Sequence, residues 1–161
     1  FDLAALTEKY GEDNARYILE TMTRHYRRLA FIRMGVEPDR SFEERTRETK
    51  RKLLDLLIAA KRDGKTIAGY GAPGKGNTLL NYCGIRQDFV DFTVDRNPYK
   101  HGRFLPGTHI PIHPPEKIDE VKPDYIFILP WNFKDEILAQ LSHAREWGAK
   151  FIVAIPEATV L

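Results

Sequence analysis

The sequence predicts an α/β fold: a doubly wound, mostly parallel sheet of about five strands, preceded by two N-terminal helices. Three observations carry this. From Thr66 onward, short apolar runs alternate with helix-compatible segments, the pattern of right-handed βαβ units. The runs are apolar throughout rather than at every second residue, as in Tyr125-Ile126-Phe127-Ile128-Leu129, which suits strands covered on both faces. The first strand also runs straight into four glycines, Gly69, Gly71, Gly74 and Gly76, at the point where a helix should begin.

Taken in order, Glu12 to about Arg33 reads as an amphipathic helix, with Ile18, Met22, Tyr26 and Leu29 near helical spacing. Arg16, Arg24, Arg27, Arg28 and Arg33 lie on its other face, diluted by Glu12, Asp13 and Glu20, so a solvated or partner-facing helix is expected. Gly35 and Glu37-Pro38-Asp39 end it. Ser41 then has Glu44 three residues on, the spacing of a capping box, and predicts a second helix from Phe42 to about Arg62. Leu53, Leu54, Leu57 and Ile58 supply its apolar stripe, and Asp63-Gly64 stops it. This divides the chain into a helical segment, residues 1–40, and an α/β domain, residues 41–161.

Strands are expected at Thr66–Tyr70, Phe89–Val94, Ile110–Ile112, Tyr125–Leu129 and Phe151–Ile155. Helices are expected at Gly76–Cys83 and Phe133–Trp147, with a short turn near Pro115–Glu120. The Pro-, Gly- and His-rich stretch 97–115 is too long for a minimal connection and reads as a lid or a packed surface loop.

Gly69, Gly71 and Gly74 fit G-x-G-x-x-G, the spacing of a tight turn that brings the backbone close to a phosphate at a helix N-terminus. The fold is therefore Rossmann-like. Asp95, at the end of the next strand, is either the acid that holds a ribose hydroxyl in such folds or a turn residue of Asp-Arg-Asn-Pro. Gly69-x4-Gly74-Lys75 also approaches the phosphate loop of NTPases, but Gly76 stands where a Ser or Thr must ligate Mg²⁺ and Pro73 lacks an N–H, so nucleotide hydrolysis is not expected. Lys75 remains available as a point charge for a diphosphate. Asn77 and Thr78 offer polar contacts at the helix start, and Tyr70, Tyr82 or Trp131 could stack on a base or sugar. Because ligands of parallel sheets bind beyond the strand C-terminal ends, the glycine loop, Asp95 and Pro130-Trp131-Asn132-Phe133 should share one rim.

Composition excludes several classes. A formal net charge of +2 over 161 residues is not that of a nucleic-acid binder. One cysteine, Cys83, leaves no internal disulfide framework or cysteine zinc site. No apolar run approaches the ~20 residues of a membrane span, and no signal peptide is visible, so a cytoplasmic location is expected. The first residue is Phe1 rather than Met, as expected of a fragment or processed form. His109 and His113 are four apart, but Pro111 between them opposes a helical metal pair. His25, His101 and His143 read as surface residues, and Glu157 as a solvated carboxylate. No Ser/His/Asp arrangement is readable, so no catalytic residue is assigned.

Four blocks, Gly69–Ile85, Val94-Asp-Arg-Asn-Pro98, Pro106–Ile112 and Leu129-Pro-Trp-Asn-Phe133, resemble the C-terminal domain of SAM-dependent sugar C-methyltransferases from about Ser41 onward. Such enzymes methylate carbon on nucleotide-linked deoxy-ketosugars. The resemblance implies a parent protein with an N-terminal zinc-binding portion and a central domain that carries S-adenosylmethionine and the catalytic acid and base. Neither precedes Ser41 here, so this chain alone should be inactive and hold no cofactor. By the same resemblance the Gly71–Asn77 loop, with Gly71, Gly74, Lys75, Gly76, Asn77 and Thr78, faces the diphosphate or sugar, joined by Asp95, Trp131 and Asn132. The family often has Trp-His-Phe where Asn132 stands, and an amide cannot transfer a proton near neutral pH. The implied partners are a nucleotide-linked sugar and a SAM-binding catalytic domain, with neither nucleic acid nor membrane, and a homo-oligomer is possible. Two other readings remain open: a small NAD(P)- or CoA-binding protein, and a non-catalytic interaction module.

Overall fold

A computed structural model describes residues 40–161 of the chain. The chain divides into two units, residues 1–45 and 46–161. The helix predicted over residues 12–33 lies outside the described residues.

Helix α1 (Arg40–Arg62) has Glu43 in its first turn and Lys61 and Arg62 in its last, the charge order a helix dipole favours. The backbone is helical from Arg40, so Ser41 lies within the helix and not at the position before it that the capping-box spacing predicts. Leu53, Leu57 and Ala60, spaced i, i+4 and i+7, are buried. The helix closes where Asp63-Gly64 predicts: Lys65 N–H reaches Ala60 O (3.0 Å) and Gly64 N–H reaches Lys61 O (3.0 Å), the paired bonds of a Schellman motif.

The sheet contains β1 (Ile67–Tyr70), β2 (Phe92–Val94), β3 (Ile112–His113), β4 (Tyr125–Ile128), β5 (Lys150–Val153) and β6 (Thr159–Val160) in the order β3-β2-β1-β4-β5-β6. The first five are parallel, and β6 runs antiparallel to β5, pairing Ile152 with Val160 and Val153 with Thr159. All four residues of β1 are buried. Helix α2 (Gly74–Cys83) follows β1, α3 (Lys117–Val121) follows β3, and α4 (Lys134–Gln140) follows β4.

Two apolar layers flank this sheet. One packs Leu53 and Leu57 of α1 and Leu80 and Cys83 of α2 with Ile67, Phe127 and Ile152. The other packs Ile118 of α3 and Ile137 and Leu141 of the α4 region with Ala68, Ile126 and Phe151. Helices on both faces of a mostly parallel sheet make the fold the Rossmann-like, doubly wound α/β class the sequence predicts.

The departures are local. A sixth strand exists, but two exposed residues carry no readable periodicity. Residues 86–90 form a turn closed by Phe89 N–H and Val90 N–H on Arg86 O (both 3.0 Å), so β2 begins three residues late. The predicted helix Phe133–Trp147 is three pieces: a 3-10 turn at Trp131–Phe133, α4, and a 3-10 turn at Ser142–Trp147 that buries Ala144. Among the described residues no helix is long and apolar enough to cross a membrane, and no group of three or more His, Cys, Asp or Glu could hold a metal.

The two central strands are tied at their entrances by Asp124. Its carboxylate accepts from Thr66 N–H (2.9 Å), Thr66 Oγ1 (2.9 Å) and Lys65 Nζ (2.9 Å). The Thr66 N–H, then Lys65 and the Thr66 hydroxyl, lower its pKa to about 2 against some desolvation. A depressed carboxylate stabilises the fold above its unfolded pKa near 4 and loses that contribution as pH falls through about 2. With 39% of the side chain exposed, screening limits the contribution to below about 1 kcal/mol. Asp124→Asn should therefore lower the thermal midpoint at neutral pH and flatten the loss of stability between about pH 4 and pH 2, measured by circular dichroism melts across that range.

Candidate functional site

The strand order changes direction between β1 and β4: β2 and β3 lie on one side of β1, and β4 and β5 on the other. Connections leave the two strands toward opposite faces, so their carboxyl ends splay apart and open a crevice. A cleft of about 280 Å³ occupies this position. Tyr70 and Gly71 line it from β1, Asp95 and Arg96 from the end of β2, and Pro130, Phe133, Glu136, Ile137 and Gln140 from the segment after β4.

The glycine loop is held by contacts within the domain. Gly71 has φ +85°, and a Cβ there would lie 2.8 Å from Pro130 Cδ, so turn conformation and close approach both require glycine. Gly71 N–H donates to Val94 O (2.6 Å) and Gly71 O accepts from Thr93 Oγ1 (2.9 Å). Ala72 N–H donates to Asp95 Oδ2 (2.7 Å). Gly76 is buried, and a Cβ there would sit 2.8 Å from Leu129 Cβ and 3.2 Å from Pro73 Cγ. The place where a phosphate loop needs its hydroxyl is thus the place where α2 packs on the end of β4.

Asp95 organises the β2 side. Besides Ala72 N–H, its carboxylate accepts from Asn97 N–H (2.8 Å) and from Lys100 Nζ (2.9 Å), and its side chain is 12% exposed. Lys100 Nζ also donates to Ala72 O (3.1 Å), and His101 Nε2 lies 2.7 Å from Asp95 O. Burial pushes the Asp95 pKa up, but the bonds from Asn97, Lys100 and Ala72 outweigh this and hold it below the ordinary carboxylate value. These contacts make Asp95 an internal clamp of turn and loop, and the same side chain lines the crevice.

The opposite wall is a hydrogen-bonded chain. The Tyr70 hydroxyl donates to Gln140 Oε1 (3.2 Å), and Gln140 Nε2 donates to Glu136 Oε1 (3.0 Å). Burial raises the Tyr70 pKa, with nearby Arg96 opposing it, so the phenol stays protonated at neutral pH. Phe133 is 58% exposed at the mouth.

Of the predicted site residues, the crevice brings together Gly71 and Asp95. Gly74, Lys75, Gly76, Asn77 and Thr78 form the first turn and a half of α2. Gly74 is open, and the Thr78 hydroxyl is turned back onto Gly74 O (3.0 Å). Lys75 Nζ stands 4.8 Å from the centroid of the Trp131 ring, a cation–π contact, and neither residue is among those that line the crevice. The Asn77 Oδ1 atom is buried without a partner, and Asn132 is exposed on its 3-10 turn. Arg96, Glu136 and Gln140 escaped the sequence reading. Arg96 is the neighbour of Asp95, and Phe133, Glu136, Ile137 and Gln140 share helical spacing i, i+3, i+4 and i+7, which is the signal that marks this wall.

A family model described as the C-methyltransferase C-terminal domain matches residues 8–156. The chain belongs to that family. This C-methyltransferase C-terminal domain is 43% identical over 118 residues to C-methyltransferase NovU of Streptomyces niveus, a match that covers 73% of this chain and 27% of that protein. The chain therefore spans about a quarter of the length of that relative. Among solved structures it matches UDP-D-quinovosamine 4-dehydrogenase from Vibrio fischeri with a TM-score of 0.42 and 20% identity, over 58% of this chain and 79% of that one.

Two substitutions test this geometry. Gly76→Ala forces a methyl group against Leu129 and Pro73 and should cost about 1–3 kcal/mol, the range of core overpacking, read as a lower urea midpoint. Asp95→Asn sets an amide N–H₂ against donors that now share a carboxylate. It should cost about 1–3 kcal/mol and speed hydrogen exchange at the Ala72 and Asn97 amides.

Proposed function

We propose that this domain holds a nucleotide-linked sugar at the β1/β4 switch point while a SAM-carrying unit of the same protein methylates a sugar carbon. One observation carries the reading: in a C-methyltransferase family domain, the crevice at the switch point combines an unpaired arginine, a carboxylate–amide wall and an exposed aromatic face. Those are the groups that meet a diphosphate, sugar hydroxyls and a flat ring. A cleft of about 280 Å³ suits a diphosphate with one ring, so the rest of the ligand extends beyond this domain.

We place S-adenosylmethionine on the other unit of the protein. The acid that meets a cofactor ribose in a dinucleotide fold, here Asp95, already accepts from Ala72 N–H, Asn97 N–H and Lys100 Nζ. The crevice carries the cation Arg96 as well as the carboxylate Glu136. Deprotonation beside a ketone requires an oriented base. Tyr70 is held protonated and Asp95 accepts from three donors, and Glu136, oriented by Gln140, is read as an acceptor for sugar hydroxyls. The domain binds and orients.

Calorimetry on the 161-residue chain tests this. A saturable heat is expected with dTDP- and UDP-sugars and none with NAD⁺, NADH or coenzyme A, and no product should form when S-adenosylmethionine and a keto-sugar nucleotide are added. Binding of NAD⁺ or coenzyme A alone would make it a dinucleotide or CoA protein. Silence toward every nucleotide, with self-association in the ultracentrifuge, would make it an interaction module.

A further inference from the structure

We infer that Arg96 anchors the diphosphate and that the Glu136–Gln140 wall receives the sugar hydroxyls, so the ligand lies across the switch point with its diphosphate toward β2. This rests on the proposed function and adds residues and an orientation to it.

The cations around the glycine loop differ in how far they are already used. Lys100 is committed to Asp95 Oδ2 and Ala72 O. Lys75 rests over the Trp131 ring, and neither residue lines the crevice. Arg96 does line it, is exposed, and makes no hydrogen bond or ion pair among the described residues. Its neighbour Asp95 does not neutralise it, because that carboxylate is bound to Lys100 at 2.9 Å and to two backbone N–H groups. The crevice thus presents one uncompensated guanidinium, whose planar fork matches two phosphate oxygens at once.

At the glycine loop the N–H groups of Gly71 and Ala72 are bonded to Val94 O and Asp95 Oδ2, and Pro73 has none. This leaves the first-turn N–H groups of α2, Gly74 to Gly76, as the backbone donors still open to an anion. The opposite wall has the reverse chemistry. Glu136 is an exposed carboxylate acceptor, held in place by Gln140 Nε2 at 3.0 Å, and Gln140 is itself fixed by the Tyr70 hydroxyl at 3.2 Å. A carboxylate repels phosphate and accepts from hydroxyl groups, so the two walls admit the ligand one way round. Phe133 and Ile137 lie on the same helical face as Glu136, giving the sugar an apolar surface beside the carboxylate.

The test is calorimetry on the full chain with dTDP, UDP and dTDP-glucose. Arg96→Gln should weaken all three by at least about tenfold, the scale of a lost charge-assisted hydrogen bond. Arg96→Lys should fall between, keeping charge and losing the fork. Glu136→Gln should weaken dTDP-glucose several-fold while leaving dTDP within twofold. Matching circular dichroism spectra and thermal midpoints for each variant confirm folding. Loss in Lys75→Gln with Arg96→Gln within twofold of wild type overturns the anchor. Equal loss of dTDP and dTDP-glucose in Glu136→Gln overturns the orientation. A wild-type chain that binds none of the three overturns the site itself.

Discussion

The crevice depends on one close fit, the seam where the turn after β1 meets the end of β4. Gly71 lies against Pro130 and Gly76 against Leu129, each with no room for a single added carbon. These contacts set how near α2 comes to the second half of the sheet, and so where the crevice floor lies. Everything around the crevice follows from that approach. The loop must turn at positive φ, the helix must begin at Gly74, and the segment after β4 must leave past Pro130 on the other side. An NTPase phosphate loop is incompatible with the same contact, because its hydroxyl would need the volume that Leu129 fills.

Electrostatics then decides what such a scaffold can hold. In a dinucleotide fold the acid after β2 faces outward to a ribose. Here the same position faces inward and staples two loops, with Lys100 supplying the countercharge. The result is a β2 end whose negative charge is spent internally and whose adjacent arginine is not.

Much of this was legible in the sequence. Uniformly apolar strands, a glycine-rich turn and helices between them identify the layer order, and motif blocks from Gly69 to Phe133 identify the family. The rest was hidden for identifiable reasons. Asp95 has the spacing of a ribose ligand, and only the position of Ala72 N–H and Lys100 shows it turned inward. Lys75 is a cation beside glycines, and only the fold shows that Trp131, more than fifty residues away in the chain, stands against it. Ser41 and Glu44 have capping-box spacing, which cannot report that the backbone is already helical at Arg40. The pair Thr159–Val160 is too short to show a period and is a strand only because β5 offers an open edge. Arg96 was passed over because, in sequence, it is one residue of a turn.

The walls of the crevice differ in build. On the β1 side, steric contact and a lattice of short hydrogen bonds hold Gly71 and Ala72 to β2. On the other side stands α4, seven residues long, suspended between two 3-10 turns and anchored by Ile137 and the following Leu141. A helix of that length closes few bonds of its own, so its local stability comes from those two side chains. The two walls are thus built unequally, and under the proposed function the less braced one, with Glu136 and Phe133, is the one that meets the sugar.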